Sequence, residues 1–111
     1  MKEFVKLTDE NFVNQELQEY SGKFLVFFSA DWCPYCVSFF NNWKEYGKVD
    51  NALIVDVTDV DSNLWDDFDL NVVPSMVIFV DGKLQKRWDG VLMRGLTIDQ
   101  ITEVNLFFSK L

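Results

Sequence analysis

Apolar residues follow two rhythms along this chain, and the rhythm changes where one element hands over to the next. Residues 3–7, Glu-Phe-Val-Lys-Leu, alternate polar and apolar positions as a half-buried strand does. Thr8 then offers an N-cap for a helix expected to run to about residue 20, with Phe12, Val13 and Leu17 on its inner face and Ser21-Gly22 as its stop. Residues 24–28, Phe-Leu-Val-Phe-Phe, form an unbroken apolar run whose length suits a strand buried on both faces. After Ser29-Ala30-Asp31-Trp32 and Cys33-Pro34-Tyr35-Cys36, the spacing predicts a helix over 34–46, packed through Phe39, Phe40 and Trp43 and ended by Gly47.

The second half repeats the scheme. Residues 52–57 read as another buried strand, and Asp61 or Ser62 can cap a short helix holding Leu64, Trp65 and Phe68. Beyond Val72-Val73-Pro74, residues 76–80 are a third strong strand, Asp81-Gly82 is a hairpin signal, and 83–88 returns antiparallel. Thr97, with Gln100 three positions on, opens a final helix carrying Ile98, Ile101, Val104 and Phe108 at helical spacing. The expected order is β-α-β-α-β-α-β-β-α. Its natural packing is an α/β fold, a central mixed β-sheet flanked by helices on both faces.

Composition narrows what such a fold can do. At 111 residues the chain forms one domain, 1–111, and its 49% hydrophobic and 16% aromatic content supplies a core for it. A net charge of −8 repels phosphate backbones and anionic bilayers, so no nucleic acid and no membrane partner is expected; the charge is read as a solvated acidic surface, with steering toward basic partners as the alternative. Residues 1–8 carry no long apolar stretch of signal-peptide type, and no later run spans a bilayer, which sets the expectation of a cytoplasmic protein. In that reducing setting a lone pair of cysteines is catalytic or metal-binding before it is a structural disulfide.

Metal chemistry finds little support. A zinc site takes four Cys or His ligands, and the chain has two Cys and no His. The acidic group Asp56, Asp59, Asp61, Asp66, Asp67 and Asp69 invites a calcium reading, but an EF-hand loop opening at Asp59 requires Gly and Glu where Leu64 and Leu70 stand. Those carboxylates are read as caps and solvated surface.

The Cys33/Cys36 pair has a direct physical consequence. At a helix N-terminus, Cys33 meets unpaired backbone N–H groups and the positive end of the macrodipole, both of which stabilise a thiolate. The thiolate is the attacking species in disulfide exchange, which makes Cys33 the nucleophile. Cys36, one turn deeper, is the thiol that resolves the mixed disulfide. Pro34 suits the first turn because it has no N–H to leave unpaired.

The block from Phe24 to Cys36 resembles the active-site strand and turn of thioredoxins. So do the opening stretch from Val5 to Phe12, the Val73-Pro74 before a strong strand, and the Asp81-Gly82-Lys83 hairpin. The resemblance implies a thioredoxin fold and an enzyme, a protein-disulfide reductase or thiol–disulfide oxidoreductase. It implies no cofactor beyond a redox-active Cys33–Cys36 disulfide and no metal. The partners it implies are disulfide-containing protein substrates and a thioredoxin reductase or glutathione as electron donor, with the chain acting as a monomer. It also implies a cis bond before Pro74, a substrate segment paired with the backbone of Val73, and Trp32 as a contact surface beside the dithiol.

Three positions depart from the family pattern. Pro34-Tyr35 between the cysteines resembles glutaredoxins rather than the Gly-Pro of typical thioredoxins. Greater stabilisation of the Cys33 thiolate favours the reduced form and shifts the couple toward oxidising values. Phe27 occupies the place of a buried Asp, and Ile54 aligns with its usual Lys neighbour, so the groups that handle the Cys36 proton in the family are missing. A glutathione-linked, glutaredoxin-like reductase is the alternative, although Arg87-Trp88-Asp89-Gly90-Val91 lacks that family's Gly-Gly and acidic pair. A redox-inert binding module on the same fold is the other alternative, and the two intact cysteines argue against it.

Overall fold

The computed structural model describes residues 4–111. The order is β1 (Val5–Leu7), a 3-10 turn (Asp9–Asn11), β2 (Phe12–Val13), β3 (Glu16–Leu17), β4 (Lys23–Ser29), α1 (Pro34–Tyr46), β5 (Ala52–Asp56), α2 (Leu64–Asp67), β6 (Ser75–Val80), β7 (Lys83–Asp89) and α3 (Ile98–Ser109). The first expected strand is thus present as β1, and Glu3 lies outside the described residues.

Five strands form one sheet in the order β1-β5-β4-β6-β7. β1 and β4 run parallel to β5, and β6 runs antiparallel to β4 and β7, so the sheet is mixed. β4 and β6 are central, which explains why both are unbroken apolar runs. Alternate residues serve opposite faces. Leu25, Phe27, Met76 and Ile78 pack with Phe39 and Trp43 of α1 and Ile101, Val104 and Phe108 of α3. Val26, Phe28, Val77 and Phe79 pack with Leu64 of α2, Phe68, Phe12 and Leu17. Helices therefore cover both faces, a long pair on one and the short α2 on the other.

The helix expected over residues 8–20 does not form. Thr8 does cap: it closes a capping box with Asn11, but around a single 3-10 turn. Beyond it the chain reverses into the β2–β3 hairpin, in which Phe12 pairs with Leu17 and Val13 with Glu16. Asn14 and Glu19 sit at φ 54° and 67°, left-handed positions that no α-helix contains. Tertiary contacts favour the hairpin. Phe12 packs edge-on against Phe68 at 5.4 Å and lies 5.9 Å from Phe79, while the Leu17 N–H donates to the Gly82 carbonyl at 2.8 Å. Val13, expected inside, is 58% exposed.

The remaining elements follow their local chemistry except at the start of α2, where Asn63 rather than Asp61 or Ser62 is the N-cap and makes no side-chain cap bond. Asp81 and Gly82, at φ 50° and 82°, supply the two left-handed residues of the β6–β7 turn. Gly47 ends α1 without a left-handed φ; a Cβ there would strike the ring of Trp43. Thr97 and Gln100 close the capping box of α3 as their spacing predicts.

Candidate active site at the start of helix α1

The site begins where β4 ends at the middle of the sheet. The chain leaving Ser29 is pinned to the end of β5. The Asp31 N–H donates to Thr58 Oγ1 at 2.8 Å, the Thr58 hydroxyl donates to Asp56 Oδ1, and Trp32 Nε1 donates to the Thr58 carbonyl at 2.9 Å. That anchorage aims the next residue, Cys33, at the N-terminus of α1.

Cys33 is the N-cap of a 13-residue helix, and its Sγ accepts from the Cys36 N–H at 3.1 Å. Pro34 fills the first helical position, as expected of a residue with no N–H to satisfy. On its other side the Cys33 thiol faces the Val73 carbonyl at 3.4 Å. The Val73–Pro74 bond is cis, as the resemblance implied, and both residues are buried.

Both cysteines carry free thiols and both are buried, but only Cys33 borders an open groove. A groove of about 250 Å³ opens over Cys33, walled by Trp32, Pro34, Tyr35, Trp65, Val73 and the tip formed by Leu92 and Met93. Cys36 is not among its walls. Burial pushes the Cys36 thiol pKa well above its ordinary value, and its hydrogen bond to Cys33 adds to the rise, while a backbone hydrogen bond at Ala30 opposes it in part.

Trp32 is 53% exposed and stacks on Trp65, with ring centroids 6.2 Å apart and planes 14° from parallel. Trp65 Nε1 donates to the Asp59 carbonyl at 3.2 Å, which fixes the second ring as Thr58 fixes the first. Tyr35 rests against Gly95, where an added Cβ would come within 3.0 Å of the Tyr35 Cβ. Gly95 closes a tight loop bridged to Val91.

Phe27 and Ile54 are partners in the β4–β5 register, so the two apolar departures from the family pattern stand side by side. Phe27 is fully buried among Phe4, Phe39, Phe40 and Trp43, at centroid distances of 4.8–5.5 Å. It belongs to the cluster under α1 and α3, whereas Cys36 groups with Ala30, Cys33 and Val57 in the other. Phe27 is thus a core ring that supplies no proton acceptor, rather than a wall of the cysteine site.

Sequence reasoning missed five groove residues, Trp65, Asn71, Val72, Leu92 and Met93. Trp65 was read only as helix packing, and nothing in the sequence signals that residues near 65 and 92 meet at Cys33.

Comparisons with known proteins agree with this geometry. A family model described as Thioredoxin matches residues 3–103. Among solved structures, a mutant thioredoxin from Halobacterium salinarum NRC-1 is similar at TM-score 0.61 and 20% identity, over 96% of this chain and 93% of that one. A Malassezia sympodialis thioredoxin, Mala s 13, is similar at TM-score 0.68 and 14% identity, over 96% and 91%. No curated protein sequence matches. With a matched model spanning nearly all of its length, a mixed sheet of the expected topology and a cysteine pair at the head of α1, the chain belongs to the thioredoxin family.

Proposed function

We propose that this chain reduces disulfides in protein substrates by dithiol–disulfide exchange, with Cys33 attacking and Cys36 resolving. The observation that carries the assignment of roles is an asymmetry of placement: Cys33 lines the groove, while Cys36 is not among its walls. The Cys33 thiolate attacks one sulfur of the substrate disulfide, forming a Cys33–substrate disulfide and releasing the first substrate thiolate. Cys36, once deprotonated, attacks Cys33 Sγ and expels the second. Two electrons pass to the substrate, and a Cys33–Cys36 disulfide remains for an external reductant to reduce. Val73 supports this reading as the strand-end backbone beside Cys33 along which an extended substrate segment can lie.

We take a thioredoxin reductase as the electron donor. The Pro34-Tyr35 dipeptide favours glutathione as a second reading, but among the described residues the groove walls carry no cation to hold glutathione carboxylates. Arg94 beside the groove instead donates to the Gly95 carbonyl and Gln100 Oε1. Insulin reduction is expected to run faster with NADPH and thioredoxin reductase than with glutathione and glutathione reductase. The reverse order makes the chain a glutathione-linked enzyme, and no reduction with either makes it a binding module. We also read the chain as a cytoplasmic monomer, consistent with the absence of cysteines beyond the active pair. Among the described residues no helix is long and apolar enough to cross a membrane.

The raised Cys36 pKa sets a pH dependence. Burial favours the protonated thiol, and only the thiolate resolves, so resolution is slow near neutrality and gains roughly tenfold per pH unit while the pH stays below that pKa. Stopped-flow decay of a preformed Cys33 mixed disulfide between pH 6 and 9 checks this. A flat profile would show that another group takes the proton.

A further inference from the structure

We propose that the groove over Cys33 selects disulfide-bearing protein segments with a bulky apolar residue beside the cysteine and positive charge close by. The inference rests on Cys33 being the attacking thiol. Its apolar half comes from the far wall. Leu92 and Met93 are 74% and 76% exposed, yet they sit at the tip of a loop held by the Val91–Gly95 bridge, and Met93 is kept at φ 69°. A non-glycine residue in that region is held against its own preference, and two large apolar side chains beside a reactive thiol form a contact surface rather than a chance exposure. Trp32 stacked on Trp65 makes the facing wall. A leucine-sized or aromatic side chain next to the attacked sulfur fits between them.

The charged half comes from the surroundings. Residues 24–43 and 49–82, which supply β4 after Lys23, most of α1, both groove tryptophans and the Val73 edge, contain no Lys or Arg. Within them Asp31 precedes Trp32, Asp59 and Asp61 precede Trp65, and Asp66 follows it, all four exposed. Of the nearby cations, Arg94 is held by Gly95 and Gln100, and Arg87 is paired with Asp89 and the Phe68 carbonyl. Arg94 keeps its charge, because both its partners are neutral, but among the described residues the four carboxylates outnumber it, so the Trp32–Trp65 rim is net acidic and attracts a cationic segment while repelling an anionic one.

Three disulfide-linked peptide dimers test both halves, with hydroxyethyl disulfide as a small neutral reference. One peptide carries two lysines before a Leu-Cys pair, the second replaces the lysines with glutamates, and the third replaces the leucine with serine. At low ionic strength the lysine–leucine peptide is expected to exceed the glutamate peptide in kcat/KM by about tenfold, a ratio that shrinks as salt is added. In Asp59→Asn/Asp61→Asn the same ratio, taken within the one variant, should fall toward unity. In Leu92→Ser/Met93→Asn the leucine-over-serine preference should shrink while the lysine-over-glutamate preference persists; Asn tolerates the left-handed position. If hydroxyethyl disulfide is reduced but the three peptides react equally at all salt concentrations, the substrate class is wrong and the dithiol mechanism stands. If no disulfide is reduced at all, the mechanism falls and the substrate class with it.

Discussion

Cys33→Ser is expected to lose all disulfide reduction, a drop on the order of 10³-fold or more, because no other group can form the mixed disulfide. Cys36→Ser should behave differently. Its Cys33 still faces the groove, so attack proceeds and the substrate stays bound as a stable adduct. Incubation of each variant with insulin, followed by non-reducing electrophoresis, separates the two: adducts accumulate with Cys36→Ser and are absent with Cys33→Ser. Iodoacetamide applied to the native reduced protein at mildly acidic pH should label Cys33, which lines the groove, and largely spare Cys36, which lies outside it and is held protonated. Labelling in the opposite order, or turnover by Cys33→Ser, would exchange or abolish the roles assigned here.

The second large effect concerns stability. Phe27 is fully buried and meets four aromatic rings, from Phe4 before β1 and from Phe39, Phe40 and Trp43 on α1. Removing the ring in Phe27→Ala leaves a cavity between β4 and α1, the helix capped by Cys33, at a cost of about 3–5 kcal/mol. Phe27→Asp should cost more, because a carboxyl enters the same apolar site facing Ile54 with no Lys beside it. Urea denaturation followed by tryptophan fluorescence measures both. A loss under about 1 kcal/mol for the alanine variant would mean that the site collapses around the gap.

The parts of this fold that could be read from the sequence are those whose signal is local. β4 and β6 are unbroken apolar runs because both faces of the central strands are covered. The α1 and α3 boundaries lie at Pro34, Gly47 and Thr97, each acting through its own backbone or side chain. Residues 12–17 misled because the capping box at Thr8 is real and the apolar positions beyond it suit a helix, yet the hairpin is fixed by Phe68, Phe79 and Gly82, more than fifty residues away. The candidate site divides the same way. Cys33, Cys36, Trp32 and Pro74 announced themselves by motif. Trp65, Leu92 and Met93 reach the groove from two other loops, and only the closed fold brings them there.

The Thr58–Asp56 pair grips the chain just before the first cysteine, by the Asp31 N–H and the Trp32 indole, not by either residue between the sulfurs. Pro34 and Tyr35 are exposed and belong to neither hydrophobic core cluster; their demands are local, the first helical position for Pro34, the contact with Gly95 for Tyr35 and the groove wall for both. Mounting and tuning are therefore separable in this protein. The linker dipeptide can be exchanged to set where the couple rests on the redox scale while the turn that presents Cys33 stays in place. A lineage or an engineer could thus move the chain between reducing and oxidising duties by altering two surface positions and leaving the core untouched.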